Sequence, residues 1–344
     1  MIQLNKVSRI LIVGPAWVGD MVMAQSLFKI LKQQNPKVTI DVLAPTWSHG
    51  LLERMPEVNR SWVLPFQHGE LNLRQRYRLA KSLRAENYQQ VIVLPNSFKS
   101  ALVPFWTQIP LRTGWRGEWP RFLFLNDARS LDKTRLPLMV QRFAALGLAP
   151  EAALPESLPW PSLVISPTTL AAALTKYQLT RPTRLLVLAP GAEFGPSKRW
   201  PVRHYAAVAN AKIVEGWEVW IFGSAKDQVI AQEISELTQG RALDLTGKTS
   251  LAEAVDLMSL ATVVVTNDSG LMHIAAAVGS PLVAIYGSTS PQFTPPLSER
   301  VAILSLQLPC SPCFQRVCPL QHNNCMQDLQ PQQVLRSVAE LVGS

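Results

Sequence analysis

The sequence has no apolar run long enough to cross a lipid bilayer. Its longest such run, residues 274–286, is interrupted by a Gly-Ser-Pro sequence at 279–281 and falls short of the ~20 residues that a spanning helix needs. Near the amino terminus only residues 10–13 form an apolar run, which is too short for the core of a secretory signal peptide. These absences predict a protein that stays in the cytoplasm.

Acidic residues are scarce in the first half of the chain. Residues 1–165 contain 20 Lys and Arg but only 11 Asp and Glu, whereas residues 166–344 contain 13 of each. The net charge of +9 therefore belongs entirely to the first half. Such an excess concentrates polyanions or anionic surfaces at one domain, although it also serves solubility alone. No nucleic acid partner is expected, because the charges form neither a basic tail nor a recognition helix.

Cysteine is absent from the first 309 residues. All four cysteines, Cys310, Cys313, Cys318 and Cys325, fall in one short segment. In a cytoplasmic chain this clustering favours a metal site over disulfides. The spacing does not match a standard zinc finger, and His322 is an alternative ligand. A structural zinc or iron ion and unliganded thiols in a loop both remain open.

Length and hydrophobic content predict two domains. The 344 residues, 47% of them hydrophobic, suffice for two separate cores. Short β-rich runs alternate with helical patterns over residues 9–94 and again over 184–286, which indicates α/β domains with parallel sheets. Between them, residues 149–167 contain five prolines, which disfavour helix and central strand. The predicted parts are Rossmann-like domains at 1–165 and 166–330, facing a central cleft, and a final helix at 331–344 packing back on the first domain.

A glycine-containing loop, residues 14–20, follows the first predicted strand. In a phosphate-binding P-loop, Lys and then Ser or Thr would follow the last glycine, but Asp20 and Met21 follow Gly19 here. A carboxylate repels phosphate, and the glycine spacing of a dinucleotide fingerprint is also absent. Asp20 has two interpretations. It is a helix cap, or it is a general base beyond the carboxyl end of a strand, where open α/β sheets place their ligands.

Two loops in the second half combine backbone donors with charge. The first places Lys198 and Arg199 directly before a helix, so that amides and cations can converge on a diphosphate. In the second, Asp268, Ser269 and Gly270 follow an apolar strand and precede another helix, which offers amides to phosphate oxygens. Taken singly, Asp268 and Ser269 would also serve as ordinary helix caps.

Five blocks of sequence resemble the heptosyltransferases of glycosyltransferase family 9. The blocks are residues 13–20, 95–101, 112–118, 190–195 and 268–273. They stand in the family's order, and the resemblance covers nearly the whole chain. It implies a GT-B fold and inverting transfer of L-glycero-D-manno-heptose from ADP-heptose to the first heptose of the lipopolysaccharide inner core. Transfer to another core position, use of another sugar nucleotide, and a GT-B epimerase are the alternatives.

The resemblance also implies roles for individual residues. Asp20 is the expected catalytic base, and Lys198 is expected to neutralise the departing diphosphate. The expected donor pocket consists of Lys198, Asp227, Asp268, Ser269, Gly270, Leu271 and His273, with Asp227 as the ribose ligand. The expected acceptor contacts are Lys99, Arg112, Arg116 and Arg142, each of which would equally suit a solvated surface charge. Related autotransporter heptosyltransferases carry a four-cysteine metal finger, which implies a metal at the cysteine segment.

The implied chemistry sets the expected cofactors and partners. No paired carboxylates hold an obligatory magnesium ion, so no cofactor is expected for catalysis beyond the donor, ADP-heptose. The expected acceptor is an anionic, heptosylated inner core on lipid A. Because that acceptor is a membrane lipid, peripheral contact with the cytoplasmic face of the inner membrane is expected too.

If the basic first half binds this acceptor, Lys99→Ala combined with Arg116→Ala should raise the acceptor KM and leave donor affinity nearly unchanged. The inner core carries phosphates and carboxylates, for which the neutral second half has no charge surplus. Kinetics at varied acceptor concentration measure the first quantity, and titration with ADP measures the second. An equal loss of affinity for ADP would contradict this division.

Overall fold

The computed structural model describes residues 7–66 and 70–343. The chain divides into two compact units, one ending at Pro161 and the other beginning at Ser162. The division falls inside the proline-rich segment of the sequence. Each unit contains a six-stranded sheet. Among the described residues, no helix combines the length and the apolar character needed to span a membrane.

The first unit is built on a parallel sheet. Its strands are β1 (Arg9–Val13), β2 (Thr39–Ala44), β3 (Val58–Val63), β4 (Gln90–Val93), β5 (Leu111–Trp115) and β6 (Asp127–Arg129). Its helices are α1 (Val18–Gln34), α2 (His49–Leu52), α3 (Leu73–Leu83), α4 (Leu102–Thr107) and α5 (Met139–Leu146). The strand order is β3-β2-β1-β4-β5-β6. The direction of winding therefore reverses between β1 and β4, which is where doubly wound sheets bind ligands.

Apolar strands explain why this sheet is covered on both faces. Residues of β1 and β4 are buried almost without exception, which is the pattern of a parallel strand between two layers of helix. On one face, α3 and α4 pack on Leu11, Val13, Val91 and Val93. Helix α1 is buried along most of its length and packs against α5.

The second unit repeats the architecture. Its strands are β7 (Leu185–Ala189), β8 (Glu218–Ile221), β9 (Ala242–Asp244), β10 (Val263–Asn267), β11 (Leu282–Ile285) and β12 (Val301–Leu304). Its helices are α6 (Pro167–Lys176), α7 (Val202–Val214), α8 (Gln228–Leu237), α9 (Leu251–Met258), α10 (Gly270–Ala277), α11 (Asn324–Gln327) and α12 (Pro331–Val342). The strand order is β12-β11-β10-β7-β8-β9, again parallel. Here winding reverses between β7 and β10.

The final helix packs on the sheet of the second unit. Helix α12 buries Val334 and Val338 in the core of the second unit, and it packs against α7 and the strands β10 to β12. Residues four positions apart lie on one face of a helix, so this apolar stripe covers the sheet of its own unit. The packing of this helix on the first domain stays a prediction.

Candidate active site

The charged residues expected to act in catalysis and binding follow central strands of the two sheets. In the first unit Asp20 follows β1, Lys99 follows β4 and Arg116 follows β5. In the second unit Lys198 follows β7, Asp227 follows β8 and Asp268 follows β10. The strands are parallel, so within each unit these residues share the carboxyl edge of one sheet.

A buried amide joins the loops after β7 and β10. The side-chain nitrogen of Asn267 donates to the carbonyl of Pro190 over 2.7 Å. Its oxygen accepts from the backbone amide of Trp200 at 3.1 Å and from the hydroxyl of Tyr205 at 3.0 Å. Because the Asn267 side chain binds these three residues, the loop with Lys198 and Arg199 is held against the end of β10.

Lys198 and Asp268 form an ion pair at this edge. Lys198 Nζ lies 2.6 Å from Asp268 Oδ2, and it also donates to the Asp268 carbonyl at 3.3 Å. The Thr289 hydroxyl, from the loop after β11, donates to the same carboxylate oxygen at 2.6 Å. Asp268 is only 4% exposed, so its charge depends on these partners. The pair connects the loops after β7, β10 and β11.

His273 lies buried in α10, beside this ion pair. Burial, together with the positive charge of Lys198, lowers the pKa of His273 to about 4, while Asp268 acts in the opposite direction. His273 is therefore neutral at physiological pH. It can donate or accept a hydrogen bond in the donor pocket, but it brings no positive charge to a phosphate.

The amino end of α10 presents backbone donors. Ser269 occupies the N-cap position, and its side chain makes no capping hydrogen bond. Gly270 and Leu271 begin the helix and are partly exposed, so the first amides of the helix point towards this edge. The carboxylate of Asp268 is taken by Lys198 and Thr289, which argues against the cap interpretation of that residue.

Asp227 is packed between the loops after β7 and β8. Its carboxylate accepts from the amide of Ser224 at 3.0 Å and from the Ser224 hydroxyl at 2.7 Å. A Cβ at Gly191 would lie 2.5 Å from this carboxylate, and one at Gly223 would lie 3.0 Å from its Cβ. Arg199 lies 4.0 Å away. Asp227 is the residue expected to bind ribose. In the structure its carboxylate accepts hydrogen bonds from the neighbouring Ser224.

Asp20 lies in the first turn of α1 and is half-buried. The N-cap of the helix is Trp17, so Asp20 is not the N-cap residue. A carboxylate in the first turn is stabilised by the helix dipole. The position keeps Asp20 at the carboxyl edge of β1.

A hydrogen-bonded loop pair carries the two expected acceptor residues nearest this edge. Lys99 is half-buried in a short 3₁₀ turn, and Arg116 is exposed. The amide of Glu118 donates to the Asn96 carbonyl at 2.9 Å, and the Glu118 carboxylate accepts from the amide of Phe98 at 2.7 Å. Two hydrogen bonds therefore join the loops after β4 and β5.

The other two expected acceptor residues hold loops in place. Arg112 is the second residue of β5, close to its amino end, and its guanidinium donates to the carbonyls of Phe124 and Ile109 at 2.9 and 2.8 Å. The Arg142 guanidinium donates to the carbonyl of Leu136 at 2.9 Å and to the next one at 3.2 Å. Burial lowers the pKa of both. Both guanidiniums therefore hold loop carbonyls, and their contact with the acceptor stays a prediction.

Sequence reasoning missed three polar residues of these edges. Thr289 and Asn267 hold the donor loops, as described above, and the runs of polar residues after β10 and β11 were the available signal. Arg121 is fully buried and donates to the Val93 carbonyl at 3.0 Å. Among the described residues, its Nε and Nη1 have no hydrogen-bond partner, and burial lowers its pKa to about 10. Nothing in its sequence context sets Arg121 apart from a surface arginine.

The four cysteines are free thiols that border one small pocket with His322. Hydrogen bonds from backbone amides, first that of Asn323, lower the pKa of Cys318. Burial and the neighbouring thiols raise the pKa of Cys325. Over residues 7–66 and 70–343, no three His, Cys, Asp or Glu side chains are arranged as ligands of a metal ion.

The cysteine segment packs on the loops at the carboxyl edge of the second sheet, the expected donor edge. The amide of Ser197 donates to the carbonyl of Arg316 at 3.2 Å, and the amide of Phe314 donates to the carbonyl of Ser288 at 2.7 Å. Phe194 lies beneath two cations, Lys198 at 5.0 Å and Arg316 at 5.6 Å from its ring centre. The segment thus adds a second cation next to Lys198.

Comparison with known proteins identifies the family. Residues 76–324 match the family described as glycosyltransferase family 9 (heptosyltransferase). The chain is 45% identical to lipopolysaccharide heptosyltransferase 2 of Salmonella typhimurium over 97% of its own length and 98% of that protein. It is 49% identical to lipooligosaccharide heptosyltransferase 2 of Haemophilus influenzae over 86% of its own length and 88% of that protein.

A solved structure agrees with these sequence matches. ADP-heptose lps heptosyltransferase II of E. coli superposes with a TM-score of 0.87 at 43% identity, covering 97% of this chain and 98% of that one. The prediction of an α/β fold with two Rossmann-like domains of the GT-B class is confirmed.

Replacing His273 should remove part of the acid sensitivity of the fold. A group whose folded-state pKa is depressed stabilises the protein fully above its unfolded-state pKa of ~6.5 and loses that contribution as the pH falls towards the folded-state value. The stability of the wild type relative to His273→Gln should therefore fall by about 2 kcal/mol from pH 7 to pH 5. Denaturant unfolding of both proteins at the two pH values measures it. An equal loss of stability in both would show that His273 is not the titrating group.

Proposed function

The chain belongs to glycosyltransferase family 9, the heptosyltransferase family, and from this membership we propose that it transfers L-glycero-D-manno-heptose from ADP-heptose to the first heptose of the lipopolysaccharide inner core. The observation that carries the proposal is the 45–49% identity to heptosyltransferase 2 enzymes over most of the chain. These relatives share one name and do not favour transfer at another core position or from another sugar nucleotide.

The donor is assigned to the carboxyl edge of the second sheet. The amides at the start of α10 and the cations of Lys198 and Arg316 supply the positive potential that a diphosphate needs. His273 contributes a neutral hydrogen-bonding group. Asp227, beside Gly191 and Gly223, is assigned to the ribose, for which its second carboxylate oxygen is the acceptor.

The Lys198–Asp268 ion pair gives the departing diphosphate a cation without exposing a bare charge beforehand. An ammonium has three donors, so Lys198 can bind a phosphate oxygen while keeping a bond to Asp268. The Thr289 hydroxyl still holds the Asp268 carboxylate if Lys198 shifts. Stabilisation of the negative charge that develops on the leaving ADP lowers the barrier to transfer.

Asp20 is assigned as the general base. Attack of an acceptor hydroxyl on the anomeric carbon releases a proton, and a single displacement with one base inverts the anomeric configuration. A carboxylate is a weak base towards a hydroxyl group, so the proton moves only as the oxygen attacks. Lys99 and Arg116 are assigned to the anionic groups of the acceptor. The reaction is assigned to the cytoplasm, at the surface of the inner membrane.

Mass spectrometry of the products tests the reaction. The protein is offered ADP-heptose, UDP-hexose and GDP-hexose in turn, each with a lipopolysaccharide acceptor that ends at its first core heptose. One added heptose from ADP-heptose alone is expected. Transfer of a hexose, or no transfer from any donor, would overturn the proposal.

In the same assay Asp20→Asn should lower turnover by about 10²–10⁴, the usual worth of general-base catalysis, because the amide keeps the shape and loses the basicity. Titration with ADP should show unchanged affinity. Asp132→Asn is the matched control, since Asp132 is an exposed carboxylate of the first unit that caps the amides of Thr134 and Arg135. Retention of more than about a tenth of wild-type turnover by Asp20→Asn would remove Asp20 from the catalytic role.

A structural zinc or iron ion at Cys310, Cys313, Cys318 and Cys325 is the second part of the proposal. Its support is that all four thiols border one pocket, and that amides converge on the Cys318 sulfur, which favours a thiolate. Such an ion would bind the segment to the loops after β7 and β11 and would take no part in transfer.

Elemental analysis of anaerobically purified protein should find about one equivalent of zinc or iron per chain. Cys313→Ser should lose the metal and lower the melting temperature more than the turnover rate, because metal binding contributes to folding. Val317→Ser, at an exposed position of the same segment, is the control and should change neither. Metal-free wild-type protein with unchanged stability would contradict the site.

A further inference from the structure

One face of the first unit exposes large apolar side chains. Trp119 is 78% exposed and Leu123 is 64% exposed in the turn that precedes β6. The remaining members lie in the same turn, in α4 and in α3: Phe122, Phe105, Tyr77 and Leu73, all 39–48% exposed. We call this set the α3–α4 face. Single exposed apolar residues are ordinary, whereas a contiguous group marks an interaction surface.

Ring contacts make the face continuous. The Tyr77 and Trp106 rings meet edge to face with centres 5.9 Å apart, which joins α3 to α4. The Phe124 ring contacts Phe105 at 5.0 Å and Phe98 at 5.3 Å, which joins α4 to the turn that carries Trp119. The apolar side chains therefore stand on one packed layer.

The same face is basic. Helix α3 contains four basic residues and no acidic one. Arg74, Arg78 and Lys81 are exposed, and their spacing of four and three residues aligns them along one side of the helix. Arg76 is buried, and its guanidinium donates to the carbonyls of Leu71 and Lys99. The exposed cations thus flank the exposed Leu73 and Tyr77.

We propose that the α3–α4 face docks on the surface of an anionic phospholipid bilayer. Tryptophan, phenylalanine and leucine side chains enter the region between headgroups and acyl chains, while arginine and lysine bind the anionic headgroups. A second copy of the chain fits less well, because a two-fold contact on this face would oppose one basic α3 to another. Nucleic acid would bind the cations through its phosphates and stack its bases on the aromatic rings, but it would leave the aliphatic side chains of Leu73 and Leu123 without a partner.

Docking here would bring the membrane to the acceptor loops. The turn that carries Trp119 follows Glu118 directly, and Glu118 is hydrogen-bonded to Asn96 and Phe98, next to Lys99. The inference rests on the proposed function, in which the acceptor is anchored in the membrane. Its chemistry is independent of the transfer reaction, so the two can fail separately.

Co-sedimentation with vesicles tests the surface. The full chain should bind vesicles of phosphatidylethanolamine and phosphatidylglycerol, with weaker binding at high salt, and should bind pure phosphatidylcholine weakly. Trp119→Ser combined with Leu123→Ser should weaken binding to the anionic vesicles by at least about tenfold. Arg74→Gln combined with Arg78→Gln should weaken it by a similar factor at low salt.

Val214→Ser combined with Val229→Ser is the matched control, since these valines are 80% and 68% exposed in the second unit. Unchanged vesicle binding in both α3–α4 variants, or an equal loss in the control, would overturn the proposal. Heptose transfer to a deacylated, water-soluble acceptor separates the two hypotheses. It should be unchanged in the α3–α4 variants, and its absence from the wild type would refute the proposed function and leave the vesicle result standing.

Discussion

The ion pair between Lys198 and Asp268 is the contact on which the donor edge depends. Each charge lies where water reaches it little, and removal of either partner would leave the other buried and uncompensated. Thr289 completes the pair from a third loop, so three strand ends are fixed by one cluster of atoms. His273 is kept neutral by the same surroundings. The edge therefore presents the paired charges of Lys198 and Asp268 before any ligand arrives, with further positive potential from Arg316 and the start of α10.

The two units divide their chemistry as the charges divide along the sequence. The second unit has as many acidic as basic residues over 166–344. The first unit carries the surplus, and a large part of it lies on α3, away from the sheet core. The proposed donor, a nucleotide sugar, and the proposed acceptor, a membrane lipid, call for surfaces that differ in this way.

Sequence patterns predicted the apolar central strands, because β1, β7 and β10 are runs of buried side chains that stand next to one another in the sequence. They failed to predict β5, whose Arg112 and Thr113 interrupt the apolar pattern, and β6, which is only three residues long. The loops with Lys198 and Asp268 could be singled out from residue types next to strands. Their pairing with Thr289 could not, because it joins residues brought together only by strand order. The hydrogen bond from Arg112 to the Phe124 carbonyl could not be predicted for the same reason, because it joins two different segments of the chain.

The side chain of Asn267 is buried and forms hydrogen bonds with protein groups. These bonds affect the affinity for a ligand at this edge. The Asn267 amide ties the Pro190 loop, the start of α7 and the end of β10 together. A ligand that binds at a mobile loop loses affinity to the entropy of ordering that loop. Here the loop is ordered by a protein side chain in advance. A nucleotide bound as proposed would meet a preorganised edge, and its binding energy would be left for holding the sugar and, later, the departing charge.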